Sequence, residues 1–149
     1  MYLLSKKSSL ALEAVLDVAY NARPNPVQSK DITERQGIQS RYLEQVLQFL
    51  VKRGILKGVR GPKGGYTLAR ERRRITLGDV LRVIEDLENE DDKMDSTSEL
   101  GEKVIQPIWS EFHNEMLSRL DHITLEDLCK RADEAGVSRV GTDAADFVI

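Results

Sequence analysis

The feature that most constrains this chain is a glycine-rich segment, VRGPKGGY, from Val59 to Tyr66. It lies between two short runs, residues 55–60 and 66–69, whose composition is typical of strands. Glycine supplies the positive φ angles that a hairpin turn requires. A Walker-type phosphate loop ends in G-K-[ST] and leads into a helix, whereas here Lys63 precedes the last glycines and a strand follows. The segment therefore predicts a β-hairpin and not the nucleotide-binding loop of an enzyme.

Three helices are predicted before this hairpin. Apolar residues repeat at helical spacing over residues 10–22, which predicts the first helix. Ser29 is expected to cap a short second helix over residues 30–36, which ends at Gly37. A third helix follows over about residues 39–53. Two helices joined by a tight turn and followed by a hairpin form a winged helix-turn-helix.

The third helix separates an apolar face from a polar one. Its core-facing positions are apolar: Tyr42, Leu43, Val46, Leu47, Phe49 and Leu50. Its opposite face carries side chains that can read base edges: Arg41, Glu44, Gln45, Gln48 and Lys52. Arginine donates two hydrogen bonds to guanine, glutamine pairs with adenine, and glutamate accepts from the cytosine amino group. An ordinary solvated face has the same pattern, so both interpretations stay open for this helix alone.

The charges of the chain are divided unevenly. The net charge is -3 over 149 residues, but residues 1–75 carry +9 and residues 76–149 carry -12. Clustered cations suit a polyanionic partner, although a solvated surface has the same composition. Arg60 suits the negative potential of a narrow minor groove, and the cationic run 70–74 is placed for flanking phosphates. The residues predicted to contact double-stranded DNA are Ser29, Lys30, Gln39, Ser40, Arg41, Glu44, Gln45, Gln48, Lys52, Arg60, Gly61, Pro62, Lys63, Gly64, Gly65 and Tyr66.

A second helical half follows the hairpin. Thr76 and Asp79 are typical of an N-terminal cap, and residues 86–102, with eight acidic residues and one lysine, are expected to form a mobile loop. A long amphipathic pattern over residues 104–120 has Pro107 at its start or at a kink. Its wide apolar stripe favours a partner helix from a second subunit over packing on its own domain. The residues predicted to form this dimer contact are Val104, Ile105, Ile108, Trp109, Phe112, Met116, Leu117 and Leu120.

These patterns predict a mainly α fold with a small β-hairpin, in which a winged helix-turn-helix precedes a long dimerisation helix. The expected parts are a DNA-binding domain over residues 1–85, an acidic loop over 86–102, a dimerisation helix with a return segment over 103–132, and a disordered tail over 133–149. No apolar run approaches the ~20 residues of a membrane span, and the opening segment does not fit a secretory signal. We therefore expect a cytoplasmic protein without membrane contact.

The chain resembles the IscR-type family of bacterial transcription regulators, which includes nitric-oxide-sensing NsrR and cysteine-linked CymR. The resemblance spans about residues 4–131 and depends on four motifs in the same order: YLEQ at 42–45, the hairpin at 59–66, the helix start at 75–84 and ITLEDL at 123–128. It implies homodimers that pair through the long helix, with the third helix in the major groove and the hairpin in the minor groove.

By that resemblance Glu44 and Gln45 match base-reading positions, and Arg60 matches the arginine of the wing. Arg41 and Gln39 depart from the residues common in the family. The preferred operator is therefore expected to differ from those of other members.

The segment that senses the signal in this family also departs from the pattern. Cluster-binding members carry three cysteines before the dimer helix, but residues 88–102 contain none, and Cys129 is the one cysteine of the chain. We expect no conventional iron–sulfur cluster and no other cofactor. The acidic loop offers oxygen ligands that suit Ca²⁺ or Mg²⁺ better than iron. His113, His122 and Cys129 lack a recognisable metal spacing, so a Cys129 site bridging two chains and a redox role for its thiol are the weaker alternatives.

The sequence thus predicts a homodimeric, sequence-specific DNA-binding repressor, and the resemblance implies that it acts on sulfur, cysteine or iron–sulfur-related genes. Its operator is expected to be pseudo-palindromic, and its effector is a small molecule or a protein. The alternative is a winged-helix interaction module that senses a metabolic partner protein and has no operator of its own. An enzyme fits least, because the two histidines and the single cysteine show no nucleophile–base spacing.

Overall fold

The computed structural model describes residues 4–22, 25–91 and 98–140, with the side chains of residues 90 and 91 left out. Within those ranges the helices are α1 Lys6–Asn21, α2 Ser29–Gln36, α3 Ser40–Lys52, α4 Leu77–Asp91, α5 Gln106–Leu120 and α6 Leu125–Glu134. The strands are β1 Leu56–Val59 and β2 Gly65–Leu68, a 3₁₀ turn covers Arg72–Arg74, and a π-helical turn covers Gly101–Ile105. The predicted mainly α fold with a small hairpin is confirmed.

The helix-turn-helix forms where the local chemistry predicts it. The side chain of Ser5 caps α1 by accepting a hydrogen bond from the Ser8 amide at 3.0 Å. Gly37 ends α2 with a left-handed φ of 66°, a conformation that glycine adopts without steric cost. The predicted cap of α2 is wrong by one residue, because Gln28 holds the capping position and Ser29 is already helical.

The hairpin is antiparallel, and its register pairs Leu56 with Leu68 and Val59 with Gly65. Leu56 is buried whereas the rest of β1 is exposed, so the hairpin is attached to the core at its base and projects outward at its tip. The amide of Ala69 donates to the carbonyl of Ile55 at 3.0 Å and extends the pairing by one step at the base.

A single hydrophobic core joins both halves of the chain. Leu125 and Cys129 of α6 lie in the same buried cluster as Ala14 and Val15 of α1, and α1 packs against both α4 and α6. The return segment predicted to belong with the dimerisation helix is therefore part of the core of the winged helix.

The predicted acidic loop is wrong at both ends. Residues 86–91 continue α4, because Leu87 still packs in the core. Residues 92–97 lie outside the described residues, and the chain is helical again in the π-helical turn that begins at Gly101. As predicted, Pro107 marks a change of helix geometry, since it stands in the first turn of α5 directly after the π-helical turn.

The predicted disordered tail is also wrong over residues 133–140. Asp133 and Glu134 belong to α6, and the residues after them return to the end of α1. The hydroxyl of Tyr20 donates to the carbonyl of Val137 at 2.6 Å, and the amide of Val140 donates to Oδ1 of Asn21 at 2.9 Å. Residues 141–149 lie outside the described residues. None of the described helices combines the length and the apolar character that crossing a membrane requires.

Candidate nucleic-acid interface

The polar face of α3 points away from the core. Leu43, Val46, Leu47 and Leu50 are buried, which orients the opposite face toward solvent. Every residue predicted for DNA contact on α3 or just before it is exposed: Gln39, Ser40, Arg41, Glu44, Gln45, Gln48 and Lys52. From Arg41 to Lys52 this face is about 16 Å long at 1.5 Å per residue. An exposed helix face of this length fits the major groove of B-DNA.

The tip of the wing is exposed, but its last residues are not. Arg60, Gly61, Pro62 and Lys63 are exposed, whereas Gly64 is buried and the following residues Gly65 and Tyr66 are partly buried. The amide of Gly64 donates to the carbonyl of Gly61 at 2.9 Å and closes the turn. A Cβ at Gly64 would overlap the carbonyl oxygen of Val59. The tip therefore presents residues 60–63 to a ligand, while the residues after them maintain its shape.

A short pairing, here called the joint, fixes the wing to the helix-turn-helix. Val27, just before α2, exchanges two backbone hydrogen bonds with Tyr66 of β2, at 3.0 and 2.7 Å. The side-chain amide of Gln28 donates to the carbonyl of Pro62 at 3.3 Å. Gly65 permits this approach, because a Cβ there would overlap the carbonyl oxygen of Val27. Ser29 and Lys30, at the start of α2, consequently lie beside the wing, with Ser29 partly buried and Lys30 exposed.

Two further groups of cations border this surface. Lys6 and Lys7 at the start of α1 are exposed, and Tyr42 of α3 donates its hydroxyl proton to the carbonyl of Lys7 at 2.8 Å. The ammonium of Lys7 lies 6.0 Å from the centre of the Tyr42 ring. Sequence reasoning did not select these lysines, although two adjacent cations at a helix start are a usable signal of phosphate contact.

The cationic run after β2 divides into exposed and partly buried members. Arg70, Arg73 and Arg74 are exposed, and Arg73 pairs with Glu71, whose pKa the arginine lowers by its hydrogen bond. Arg72 is partly buried, and its Nε and Nη1 atoms are inaccessible and have no hydrogen-bond partner. The exposed arginines are the members of this run that can meet phosphates without rearrangement.

The apolar stripe of the long helix faces solvent. Trp109 and Phe112 are 65% and 61% exposed, and their rings meet edge to face with centroids 6.4 Å apart. Val104, Ile105 and Ile108 are also exposed, whereas Met116 and Leu120 are partly buried. Leu117 does not belong to the exposed stripe, because it is buried within its own chain. The described part of the chain thus leaves large aromatic side chains uncovered in one protomer.

Ionic contacts connect α4 with the long helix α5 and with the end of α3. Arg82 makes two hydrogen bonds to Asp121, at 2.6 and 2.9 Å, and Nε2 of His113 lies 2.9 Å from Oε2 of Glu85. Burial raises the pKa of Glu85, although His113 opposes that effect. Asp86, one residue further along α4, accepts from Arg53 just beyond α3 at 2.7 Å. One face of α4 therefore contacts the long helix, and a neighbouring position contacts the end of α3.

The donor groups that the structure describes do not assemble the ligand set of a conventional iron–sulfur cluster. Cys129 is the one cysteine in the sequence, and its side chain is buried in the core. His113 pairs with Glu85, and Nδ1 of His122 lies 2.9 Å from the carbonyl oxygen of Ser118. In the part of the chain that the structure describes, no three His, Cys, Asp or Glu side chains meet as metal ligands. A cluster bound by the thiolates of one chain needs more cysteines than this sequence has.

Comparison with known proteins decides the family. Residues 4–131 match the Rrf2 family model, which is described as an iron-dependent transcriptional regulator. The chain belongs to the Rrf2 family. Among its relatives, the HTH-type transcriptional regulator IscR of Xenorhabdus nematophila is 35% identical over 143 residues, covering 91% of this chain and 84% of the relative. The corresponding IscR of Escherichia coli O1:K1 is 34% identical and covers 91% of this chain and 85% of the relative.

Solved structures of Rrf2 proteins share the fold. IscR of T. potens is 38% identical and superposes with a TM-score of 0.72 over 92% of this chain and 93% of its own. CymR of B. subtilis, described as the global cysteine regulator of that organism, is 29% identical with a TM-score of 0.67 over 88% and 98% of the two chains. This Rrf2 chain is therefore a winged-helix, DNA-binding transcription regulator and not an enzyme.

Proposed function

We propose that this Rrf2 protein is a homodimeric repressor that binds a pseudo-palindromic operator in the cytoplasm and senses its signal without a conventional iron–sulfur cluster. The observation that carries the proposal is the joint between Val27 and Tyr66, which holds two exposed, DNA-suited surfaces in one unit. One surface is the polar face of α3 and the other is the cationic tip of the wing.

Specific binding follows from the side chains on those two surfaces. On α3, Arg41, Glu44 and Gln45 combine donors and acceptors that discriminate base pairs in the major groove. On the wing, Arg60 is exposed beside a compact turn and suits a narrow minor groove. The cations around them, including Lys30 and Lys63, add contacts to phosphates that set affinity without reading sequence.

Dimerisation follows from the stripe on α5. Trp109 and Phe112 expose most of their surface, and water-exposed aromatic side chains in a contiguous row favour association. A second copy of the chain is the natural occupant, because a two-fold contact of the stripe with itself closes the assembly. The resulting pair of α3 helices would match the two halves of a pseudo-palindrome.

The proposed targets are genes of sulfur, cysteine or iron–sulfur metabolism. CymR supports this class of target, because it is described as a cysteine regulator and shares the fold. The sensing step differs from that of a cluster-binding regulator, since Cys129 is buried and residues 88–102 contain no cysteine. A small molecule or a protein partner is then the effector.

The test begins with genome-wide mapping of bound sites and in vitro transcription from the mapped promoters. Fluorescence anisotropy on a mapped operator should show that Arg60→Ala weakens binding by about 1–3 kcal/mol. Lys130→Ala removes the same charge from an exposed position on α6 and is the matched control, for which wild-type affinity is expected. Equal losses in the two variants would show a general charge effect and remove the specific role of the wing. Transcription that rises on adding the protein would contradict repression.

A further inference from the structure

The residues after α6 form a strap, defined here as residues 135–140, that returns to the far end of α1. The strap lies beyond residues 4–131, which match the family model. Its two hydrogen bonds reach Tyr20 and Asn21, and the guanidinium of Arg139 lies 4.7 Å from the centre of the Tyr20 ring. The contacts join parts of the chain separated by 117 and 119 residues.

The strap covers the last turn of α1. Tyr20 and Asn21 are 3% and 6% exposed, although each carries a polar group. The strap gives two of these polar atoms a partner: the Tyr20 hydroxyl donates to the Val137 carbonyl, and the side-chain Oδ1 of Asn21 accepts from the Val140 amide. Buried polar groups without partners are costly, and helix ends fray when nothing holds them. Removing the strap therefore exposes and loosens this end of α1.

The same end of α1 is close to the joint in the sequence. Val27, the first residue of the joint, follows Asn21 by six positions and pairs with Tyr66 of β2. In addition, α1 packs against β2 itself. We expect a looser end of α1 to release the segment that fixes the wing, whereas α3 is held by α2, α4 and β1 as well as by α1.

We propose that the strap positions the wing for DNA, with Tyr20 and Asn21 as the positioning residues through which it acts on the joint. This proposal depends on the proposed function of the wing, because it concerns how Arg60 is presented to the minor groove. The strap raises the affinity for operator DNA through the wing. It does not change the contacts of α3 with the base edges.

The experiment compares two truncations of the full chain on operator DNA. Ending the chain after Glu134 removes the strap, and ending it after Val140 keeps the strap and is the matched control. Loss of the strap is expected to weaken binding about tenfold in the wild-type background and less than twofold in the Arg60→Ala background. Tyr20→Phe, which keeps the ring but loses the bond to Val137, should give a smaller effect with the same dependence on Arg60.

Amide hydrogen exchange supplies a readout that does not involve DNA. Without the strap, the amides of Val27 and Tyr66 are expected to exchange faster, while those of Leu47 and Leu50 in α3 keep their rates. Equal weakening of DNA binding in both backgrounds, or faster exchange throughout the chain, would overturn the proposal in favour of general stabilisation. Unchanged affinity with unchanged exchange at the joint would also overturn it. Failure of the wild-type protein to bind any operator would instead contradict the proposed function, and the exchange rates would still decide whether the strap controls the joint.

Discussion

At the residue scale, Asp17 is a charged side chain with no exposed surface. Its carboxylate accepts hydrogen bonds from Nε and Nη2 of Arg35, at 2.9 and 2.8 Å, and from the side chain of Gln36 at 2.7 Å. The hydrogen bond to Asp17 raises the pKa of Arg35. Because Arg35 and Gln36 form the end of α2, this one carboxylate fixes α2 on α1 and so sets where α3 begins.

Replacing Asp17 with Ala is therefore expected to destabilise the protein by about 3 kcal/mol, near the low end for breaking a buried ion pair. We expect a loss of folding free energy at the low end of this range because the Arg35 side chain is 29% exposed and can turn toward water. Urea unfolding followed by circular dichroism measures the difference. Glu13→Ala on the exposed side of α1 is the control and should change stability by less than about 0.5 kcal/mol. Equal stabilities of the two variants would contradict the role of Asp17.

Gly65 is the second residue on which the interface depends. It has a φ of 150°, and its Cα faces the carbonyl of Val27 with no space for a side chain. We expect Gly65→Ala to open the joint, to lower stability by about 1–3 kcal/mol, and to weaken operator binding about tenfold, which corresponds to 1.4 kcal/mol. Gly58→Ala in β1 is the matched control, because an added Cβ there meets nothing within 4 Å. Thermal melts and anisotropy titrations check both variants, and wild-type behaviour of Gly65→Ala would refute the steric account.

At the scale of elements, two capping boxes meet at the base of α4 and α6. Thr76 with Asp79 caps α4, and Thr124 with Asp127 caps α6, each through two reciprocal hydrogen bonds. The two caps are also paired through the backbone, since the amide of Leu77 donates to Ile123 at 2.7 Å. The caps thus start both helices and join them at the same point.

This arrangement predicts a pH dependence for α6. The hydrogen bonds between Asp127 and Thr124 lower the pKa of Asp127 from its ordinary value of 3.8. A carboxylate with a depressed pKa in the folded state stabilises the fold above its unfolded pKa and loses that effect as the pH falls. The melting temperature of the wild type should therefore exceed that of Asp127→Asn above about pH 4, and the difference should shrink as the pH falls below 3.8. A difference that stays constant from pH 7 to pH 3 would rule out this titration.

The elements that were predicted correctly are those with local causes. Gly37 ends α2 because of its own backbone freedom, and the caps at Thr76 and Asp79 act over three residues. The exposed face of α3 follows from helical periodicity, so the sequence alone could predict which of its residues face solvent. These signals are contained within one turn or one helix of the chain.

The errors have causes that lie far apart in the sequence. Acidic composition suggested a loop from Asp86, but burial of Leu87 in the core and the ion pair of Asp86 with Arg53 extend α4. The strap depends on Tyr20 and on residues more than a hundred positions later, which no local pattern reveals. The contact between Lys7 and Tyr42 has the same kind of cause, because tertiary packing alone brings these two residues together.

At the scale of the whole molecule, charge is divided unevenly between two halves of the sequence that share one core. Residues 1–75, with +9, contain the helix-turn-helix and the wing, and residues 76–149, with -12, contain the apolar stripe of α5. The exposed cations of the helix-turn-helix and the wing favour a polyanionic partner on that surface. In the proposed dimer, the stripe would contact a second copy while the cationic surfaces of both protomers face the duplex.

Introducing charge into the stripe should separate the protomers. Phe112→Glu places a carboxylate among side chains that must lose water on association, so sedimentation velocity is expected to show monomers and operator binding to require higher protein concentration. Ser118→Glu adds the same charge at an exposed position of α5 outside the stripe and should remain dimeric. Leu117 stays buried in both variants, which keeps the fold intact. Dimers of unchanged affinity in Phe112→Glu would exclude the stripe as the contact.

The joint between Val27 and Tyr66 has a consequence for the DNA itself. Since the joint attaches the wing to the helix-turn-helix, we expect a constant distance between the tip of the wing and the polar face of α3. One inserted base pair shifts a distant groove by about 3.4 Å along the axis and turns it by about 35°. A half-site lengthened by one base pair between the two contacts is expected to meet either α3 or the wing, but not both. Genuine targets are therefore expected to conserve that spacing more strictly than the bases within it.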